Sequence, residues 1–298
     1  MRLKFWGTRG SIPTPGKETV RYGGNTPCVE VRLKDDSLVI FDAGTGIRGL
    51  GDELTREGSS VKASIAVTHP HWDHIQGFPF FKPAFISGNE LTLIGVETRK
   101  FSLQQMISYQ MDKVYFPVQL NELKASITFR PIQEQTIPMY DGTLSSIFVN
   151  HPAIAVGYRL EAGGQSLVYI SDNEPFDREV ARSMKNVDRK VIARYLDCDG
   201  DPNQRIFEFA RGADVLIHDA TYTPEEYVSH VGWGHSHYLF ALKVAKEAGV
   251  KRLILFHHDQ MHSDEVIDEI VQLCQKEIRT SGYAFACAAA AEGMELEW

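Results

Sequence analysis

The most informative part of the sequence is the stretch Val67-Thr68-His69-Pro70-His71-Trp72-Asp73-His74, in which three imidazoles and a carboxylate lie within six residues, directly after an apolar run that we predict to be a strand. Because side chains alternate along an extended segment, His69 and His71 can reach one metal ion, while Asp73 and His74 turn towards a second. A solvated polar turn is the alternative explanation. The density of ligand-type side chains favours metal binding.

A strand-end His-x-His-x-Asp-His pattern is the signature of the metallo-β-lactamase superfamily, which this chain resembles over almost its whole length. The later motifs follow in the superfamily's order: an isolated histidine at His151, an aspartate at Asp172 and a terminal histidine at His257, with His258 beside it as an alternative. The resemblance implies two divalent ions, one held by His69, His71 and His151, the other by Asp73, His74 and His257, with Asp172 as the bridge. It also implies an α/β (α+β) fold, a four-layer αββα sandwich of two mixed sheets flanked by helices.

Such a binuclear centre has a clear chemical use. Two cations roughly 3.5 to 4 Å apart can share a hydroxide, lower its pKa and stabilise both the attacking and the leaving oxygen. Zinc suits these ligands best, with manganese or iron as alternatives at the site richer in carboxylate. Asp42, in Phe41-Asp42-Ala43-Gly44, resembles the superfamily's DxG element and is expected to orient ligands without touching metal. A turn aspartate capping its own backbone is the alternative.

A second pair of motifs narrows the range of reactions that the protein could catalyse. His218-Asp219-Ala220-Thr221-Tyr222 and Gly234-His235-Ser236 are similar, in order and spacing, to the phosphodiesterase branch that contains the tRNA 3′-processing endonucleases. By that resemblance Asp219 orients His235, and His235 protonates the alkoxide that leaves a phosphodiester. Asp73, His235 and Asp219 are thus the predicted catalytic residues. Simple capping of neighbouring turns is the alternative role for Asp219 and His235.

The resemblance to the tRNA endonucleases fails at one point. That family carries a long RNA-gripping arm between the isolated histidine and the bridging aspartate, whereas here residues 154–170 predict a simple hairpin. The net charge of −8, from 31 Lys and Arg against 39 Asp and Glu, also argues against a long nucleic acid as partner. The N-terminal segments Phe5–Pro13 and Tyr22–Pro27 resemble those of the family's small bacterial and phage phosphodiesterases, several of which cleave cyclic nucleotides.

The sequence therefore predicts a metal-dependent phosphodiesterase that hydrolyses a small nucleotide, a 3′,5′-cyclic nucleotide being the first choice of substrate. Three alternatives stay open: a thioester or lactone hydrolase of the same fold, a tRNA 3′-processing endonuclease, and a non-catalytic nucleotide-binding protein. Comparing activity on phosphodiesters with activity on acyl thioesters separates the predicted phosphodiesterase from the thioester or lactone hydrolase.

The chain's composition sets the remaining expectations. With 298 residues, 43% hydrophobic and 23% charged, it is predicted to fold as a single domain over residues 1–298. No apolar run has the length of a membrane span or a signal peptide, and the four cysteines form no CxxC pair, so a cytoplasmic protein without membrane contact is expected. The sequence of residues 97–125 predicts a helical insertion. Its apolar side chains are expected to pack in the core, with a homodimer interface or a cover over the pocket as the alternative roles.

Local signals place the secondary structure. Short β-rich runs recur from Arg2–Trp6 to Met294–Trp298 and predict a strand-dominated chain. Helices are predicted mainly in the C-terminal half, capped by Thr223, Ser236 and Ser263, with the last two ending at Gly249 and near Gly282.

Overall fold

The computed structural model describes residues 1–176 and 201–298, so Cys198 lies outside the described part. Two seven-stranded mixed sheets form its centre. The first contains β1 (Arg2–Gly7), β2 (Cys28–Arg32), β3 (Leu38–Phe41), β4 (Lys62–Val67), β5 (Glu90–Gly95), β6 (Ser126–Pro131) and β14 (Glu295–Glu297). The second contains β7 (Thr136–Met139), β8 (Gly142–Phe148), β9 (Val156–Ala162), β10 (Gln165–Ile170), β11 (Val215–Asp219), β12 (Arg252–Phe256) and β13 (Ala286–Ala289).

The strand order is simple in both sheets. It runs β14-β1-β2-β3-β4-β5-β6 in the first and β13-β12-β11-β10-β9-β8-β7 in the second. In the first sheet β3 to β6 are parallel, and in the second β10 to β13 are parallel, while the remaining neighbours are antiparallel. Each sheet therefore has a parallel half, whose strands all end at the same edge.

The inner faces of the two sheets pack against each other. Phe41 of the first sheet stacks on Tyr169 of the second with 5.1 Å between ring centroids, and Phe5 lies 6.0 Å from Phe256. Two further apolar clusters cover the outer faces with helices, one on each sheet. This four-layer arrangement confirms the predicted αββα sandwich.

Helices cover the outside and connect the parallel strands. They are α1 (Ile47–Glu57), α2 (Trp72–Ile75), α3 (Leu103–Gln110), α4 (Gln204–Phe209), α5 (Pro224–His230), α6 (Tyr238–Ala248) and α7 (Asp264–Ser281), with 3-10 turns at Lys17–Thr19, Phe78–Phe80, Lys82–Phe85 and Leu120–Glu122. Among the described residues no helix combines the length and apolar character needed to cross a bilayer.

Most of the predicted helix boundaries agree with the structure. Thr223 and Ser263 accept hydrogen bonds from the backbone N–H groups of Glu226 and Val266, and Gly249 and Gly282 end their helices in the left-handed conformation. The Ser236 cap is wrong, because its hydroxyl donates to the carbonyl of Asn173 instead and α6 begins after His237.

The segment 97–125 is helical only in part. It contains α3 and the 3-10 turn at Leu120–Glu122, and Met106 and Met111 are buried against the outer face of the first sheet. Val114 and Tyr115 are exposed. The assignment of residues 1–298 to one domain stays a prediction, as does the role of this segment in a dimer or a lid.

Candidate metal centre

The predicted site residues meet at one edge of the sandwich. His69 to His74 follow β4, His151 follows β8, Asp172 follows β10, and His257 follows β12. Because all these strands end at the same edge, residues far apart in the chain come together there. The structure groups them in overlapping triplets whose possible ligand atoms all lie within 4.8 Å of one another.

The first triplet consists of His69, His71 and His151. The His151 Nε2 atom lies 3.2 Å from His71 Nδ1, and the His69 ring lies within 4.6 Å of both other rings, centroid to centroid. His151 donates its Nδ1–H to the carbonyl of Gly234 at 3.1 Å, so its Nε2 carries the lone pair. Burial lowers the pKa of His151 to about 4, which keeps this imidazole neutral, as metal ligation requires.

The second triplet consists of Asp73, His74 and His257. The Nε2 atoms of both histidines lie 3.2 Å from Asp73 Oδ2, and the two rings stack with 5.5 Å between centroids. His74 donates its Nδ1–H to Asp42 at 2.8 Å, which leaves Nε2 free to bind a cation.

Asp172 lies between these two triplets and belongs to two further ones, with His69 and His74 and with His235 and His257. Its Oδ1 atom is 3.1 Å from His74 Nε2, and its Oδ2 atom is 3.8 Å from His69 Nε2 and 3.5 Å from His257 Nε2. One carboxylate thus faces members of both triplets. This position suits the bridging role that the family resemblance implies.

Unpaired polar atoms test whether these residues fit metal ions. Among the described residues, the buried atoms His69 Nε2, His74 Nε2 and Asp172 Oδ1 make no hydrogen bond. His74 Nε2 and Asp172 Oδ1 lie 3.1 Å apart, but with the His74 proton on Nδ1 both are acceptors. Buried polar atoms without partners are costly, and here the three atoms are of ligand type and belong to the triplets. The donor set of imidazoles and carboxylates therefore fits two divalent cations.

Asp42 supports the centre from beneath. It is fully buried, adopts a left-handed backbone conformation with φ of 59°, and receives hydrogen bonds at 2.8 Å from His74 Nδ1 and the Tyr169 hydroxyl. Its other oxygen accepts the backbone N–H of Thr68 at 2.7 Å. Asp42 thus orients a candidate ligand without joining a triplet, as predicted. Sequence reasoning assigned no role to Thr68 or Tyr169, although Thr68 lies within the quoted stretch Val67–His74 and Tyr169 lies three residues before Asp172.

The structure places Asp219 beside His235. Asp219 Oδ2 accepts from His235 Nδ1 at 3.2 Å, while Oδ1 accepts the backbone N–H of Thr221 at 3.0 Å, so this carboxylate caps its own turn as well. Burial lowers the pKa of His235, but the Asp219 charge and hydrogen bond outweigh it and raise that pKa to about 9. The His235 ring stacks on His257 at 4.8 Å between centroids.

His257 and His258 occupy different surroundings, and only His257 belongs to a triplet. The His258 Nε2–H donates to the carbonyl of Ala290 at 2.9 Å, outside the triplets. The N-terminal loop, which sequence reasoning did not place here, covers His257. A Cβ atom on Gly10 would lie 2.3 Å from the His257 ring, and Ser11 donates its backbone N–H to Asp73 Oδ2 at 2.8 Å.

Comparison with known proteins defines the class. Residues 38–199 match the family described as the beta-lactamase superfamily domain, and because this match spans more than half of the chain, the protein belongs to that superfamily. It is similar to ribonuclease Z of Staphylococcus aureus (strain JH9), at 24% identity over 318 residues, covering 96% of this chain and 97% of the relative.

Solved structures agree with this assignment of fold. The metallo-beta-lactamase fold protein YhfI from Bacillus subtilis superposes with a TM-score of 0.68 at 18% identity, covering 100% of this chain and 98% of that chain. A diphosphatase from the PhnP family superposes with a TM-score of 0.64 at 18% identity, covering 100% and 97%. The predicted recognition as a member of the metallo-β-lactamase superfamily is confirmed.

Proposed function

We propose that this protein is a two-metal phosphodiesterase that cleaves a small nucleotide, with a 3′,5′-cyclic nucleotide as the substrate to test first. The observation that carries the proposal is the short connection from His151 to Asp172. There β9 and β10 form a tight hairpin, paired from Tyr158↔Tyr169 to Ala162↔Gln165. This hairpin leaves no chain for an RNA-gripping arm between the two candidate ligands.

The proposed ligands are seven members of the triplets: His69, His71, Asp73, His74, His151, Asp172 and His257. His235, which forms a triplet with Asp172 and His257, is assigned to proton transfer instead. Two divalent ions, zinc being the first choice and manganese or iron the alternatives, would lower the pKa of a water molecule and stabilise charge on the phosphoryl oxygens. Imidazoles whose other nitrogen is fixed, as in His74 and His151, hold their ligand atoms in place.

The leaving oxygen needs a proton, because a ribose alkoxide is a poor leaving group. His235 is the proposed donor. Its Nδ1 is engaged by Asp219, so Nε2 is the nitrogen available to the leaving oxygen. Asp219 keeps the ring in one orientation and stabilises its charged form. A thioester or lactone hydrolase has less need of this pair.

The test is a substrate screen on protein reconstituted with zinc or manganese. Cyclic nucleotides, linear dinucleotides, precursor tRNA, an acyl thioester and a lactone are compared at equal concentration, and products are identified by chromatography. We expect fastest turnover of a cyclic nucleotide, with His69→Ala as the control for contaminating enzymes. Unchanged substrate throughout, with tight nucleotide binding, would favour the non-catalytic alternative.

A tRNA 3′-processing endonuclease is the second candidate. It is favoured by the similarity to ribonuclease Z, which covers 96% of this chain. Accurate removal of a tRNA trailer, faster than turnover of every cyclic nucleotide tested, would establish this function in place of the first.

The proposal keeps two expectations of the sequence analysis, a cytoplasmic location and a homodimer. Light scattering on the purified protein measures the oligomeric state directly. Fractionation of the source cells measures the location.

A further inference from the structure

Glu174 is a buried carboxylate that the proposed chemistry does not use. Only 3% of its surface is exposed, and it belongs to none of the ligand triplets. Its Oε1 atom accepts the Tyr227 hydroxyl at 2.9 Å and the backbone N–H of Gly232 at 2.6 Å. Its Oε2 atom accepts the backbone N–H of Gly234 at 3.0 Å. One side chain therefore holds the loop 231–234 through two backbone hydrogen bonds, and a third joins it to Tyr227 of helix α5.

That loop contacts the candidate metal centre at two places. The carbonyl of Gly234 accepts the Nδ1–H of His151, and the next residue is His235. Gly234 has φ of 90°, and a Cβ atom there would lie 2.1 Å from His151 Nδ1, so the loop backbone is pressed against this ring. A shift of the loop must move both the His151 ring and the start of the His235 segment.

The backbone around Glu174 is fixed on the opposite side. Glu174 donates its N–H to the carbonyl of Asn150 at 2.8 Å and accepts from Asn150 Nδ2 at 3.1 Å, directly before His151. Asn173 donates its N–H to Asp219 Oδ2 at 3.1 Å. The segment 173–174 thus connects Asn150, directly before His151, with the Asp219–His235 pair.

We propose that Glu174 is a positioning residue that sets the orientation of His151 and His235 by holding the loop 231–234. The inference rests on the proposed ligand role of His151. A carboxylate suits the task because both oxygens accept and neither donates. A glutamine would present an N–H₂ group to at least one of the donors that now point at Glu174, which leaves a buried donor without a partner.

The test compares Glu174→Gln with Glu225→Gln, a matched change at an exposed position on the neighbouring helix α5. Metal affinity is measured by competition with a chromophoric chelator, and His151→Ala serves as the reference. Loss of a group that orients a ligand lowers metal affinity by about 10- to 100-fold. We expect that loss for one of the two ions in Glu174→Gln, and unchanged affinity in Glu225→Gln.

Hydrogen exchange supplies a second readout that does not depend on metal. Peptides covering residues 231–234 should exchange faster in Glu174→Gln and stay protected in Glu225→Gln. Unchanged metal affinity together with unchanged exchange would overturn the inference. If Glu174→Gln does not fold, Glu174→Asp decides, since it keeps the carboxylate but shortens its reach to the N–H groups of Gly232 and Gly234. A smaller loss of affinity with faster exchange is then expected, and wild-type values would overturn the inference.

The two proposals fail differently. Wild-type metal affinity in His151→Ala would show that the ligand assignment is wrong, and the exchange rates alone would then decide whether Glu174 holds the loop. Weakened affinity in His151→Ala, with wild-type affinity and exchange in Glu174→Gln, would leave the metal centre intact and remove the positioning role.

Discussion

At the scale of single residues, the pair of His235 and Asp219 gives the sharpest prediction. His235→Ala should retain its metals but lower turnover of a ribose-alkoxide diester by about 10²- to 10⁴-fold, the usual contribution of a positioned acid. Bis(p-nitrophenyl) phosphate should lose far less, because nitrophenolate leaves without protonation. The measurement is kcat on both substrates alongside metal content. Equal losses on both, with metals bound, would show that His235 has another role.

The neighbouring histidines His257 and His258 allow a matched comparison. His257→Asn should lose affinity for one ion per chain while folding normally, since asparagine tolerates the left-handed backbone that His257 adopts at φ of 59°. His258→Asn should keep both ions and lose about 0.5 to 1.5 kcal/mol of unfolding free energy with the hydrogen bond to Ala290. Elemental analysis and urea unfolding measure the two effects. Metal loss confined to His258→Asn would reverse the assignment.

Sequence reasoning identified histidines and aspartates that stand in motifs typical of metal binding or proton transfer. The triplets, Asp42 and the Asp219–His235 pair all stood in recognisable motifs. Glu174 and Ser11 were not found, because their contributions run through backbone N–H groups of distant loops and leave no pattern in the sequence. Only the folded chain shows which main-chain groups face which side chains.

At the scale of elements, helices with side-chain caps and glycine stops could be predicted and others could not. The helix α1 begins after Gly46 without a side-chain cap and contains Gly49 and Gly51, which weaken any helical signal. The strand β7 is short, lies at the edge of its sheet and includes Pro138, which argues against a strand in a sequence. Both elements exist because tertiary packing outweighs local preference.

The glycine at position 51 makes this packing testable. Alanine favours a helix interior by about 1 kcal/mol over glycine, yet a Cβ atom at Gly51 would lie 2.9 Å from a Phe81 ring atom and 3.1 Å from Pro83 Cδ. We expect Gly51→Ala to lower the free energy of unfolding by about 1 to 3 kcal/mol through overpacking. Gly49→Ala is the control, since it meets the partly exposed ring of Trp6. A more stable Gly51→Ala protein in urea unfolding would contradict the prediction.

At the scale of the whole molecule, the candidate metal centre joins the two sheets. His69 and Asp73 follow a strand of the first sheet, whereas His151, Asp172 and His257 follow strands of the second. Ions bound there would therefore tie together layers that otherwise meet through apolar side chains. A ligand that binds only the folded state stabilises it by about 2.7 kcal/mol when its free concentration is one hundred times its Kd.

Metal removal should accordingly lower the melting temperature. We expect a chelator to destabilise the wild-type protein by several degrees and to have little further effect on Asp172→Ala, which lacks the shared carboxylate. Differential scanning calorimetry with and without chelator measures both shifts. Equal shifts in the two proteins would contradict a bridging role for Asp172.

The overall architecture came from the family resemblance and not from periodicity. Short β-rich runs indicate strands, but they do not say that β10 to β13 are parallel or that β14 pairs with β1. Pairings between distant strands depend on contacts that no local window contains. Motif order supplied that information, because it carries the topology of the superfamily.

The pairing of β14 with β1 has a consequence for biosynthesis. The partners Arg2↔Glu297 and Leu3↔Leu296 are separated by nearly the whole chain. A ribosome adds about 5 to 20 residues per second, so the outer edge of β1 waits roughly 15 to 60 seconds for its neighbour. During that interval its unpaired N–H and C=O groups can capture a strand of another nascent chain. Arg2 and Lys4 place positive charge on β1. This charge repels the β1 strand of a second nascent chain until β14 has been synthesised and pairs with β1.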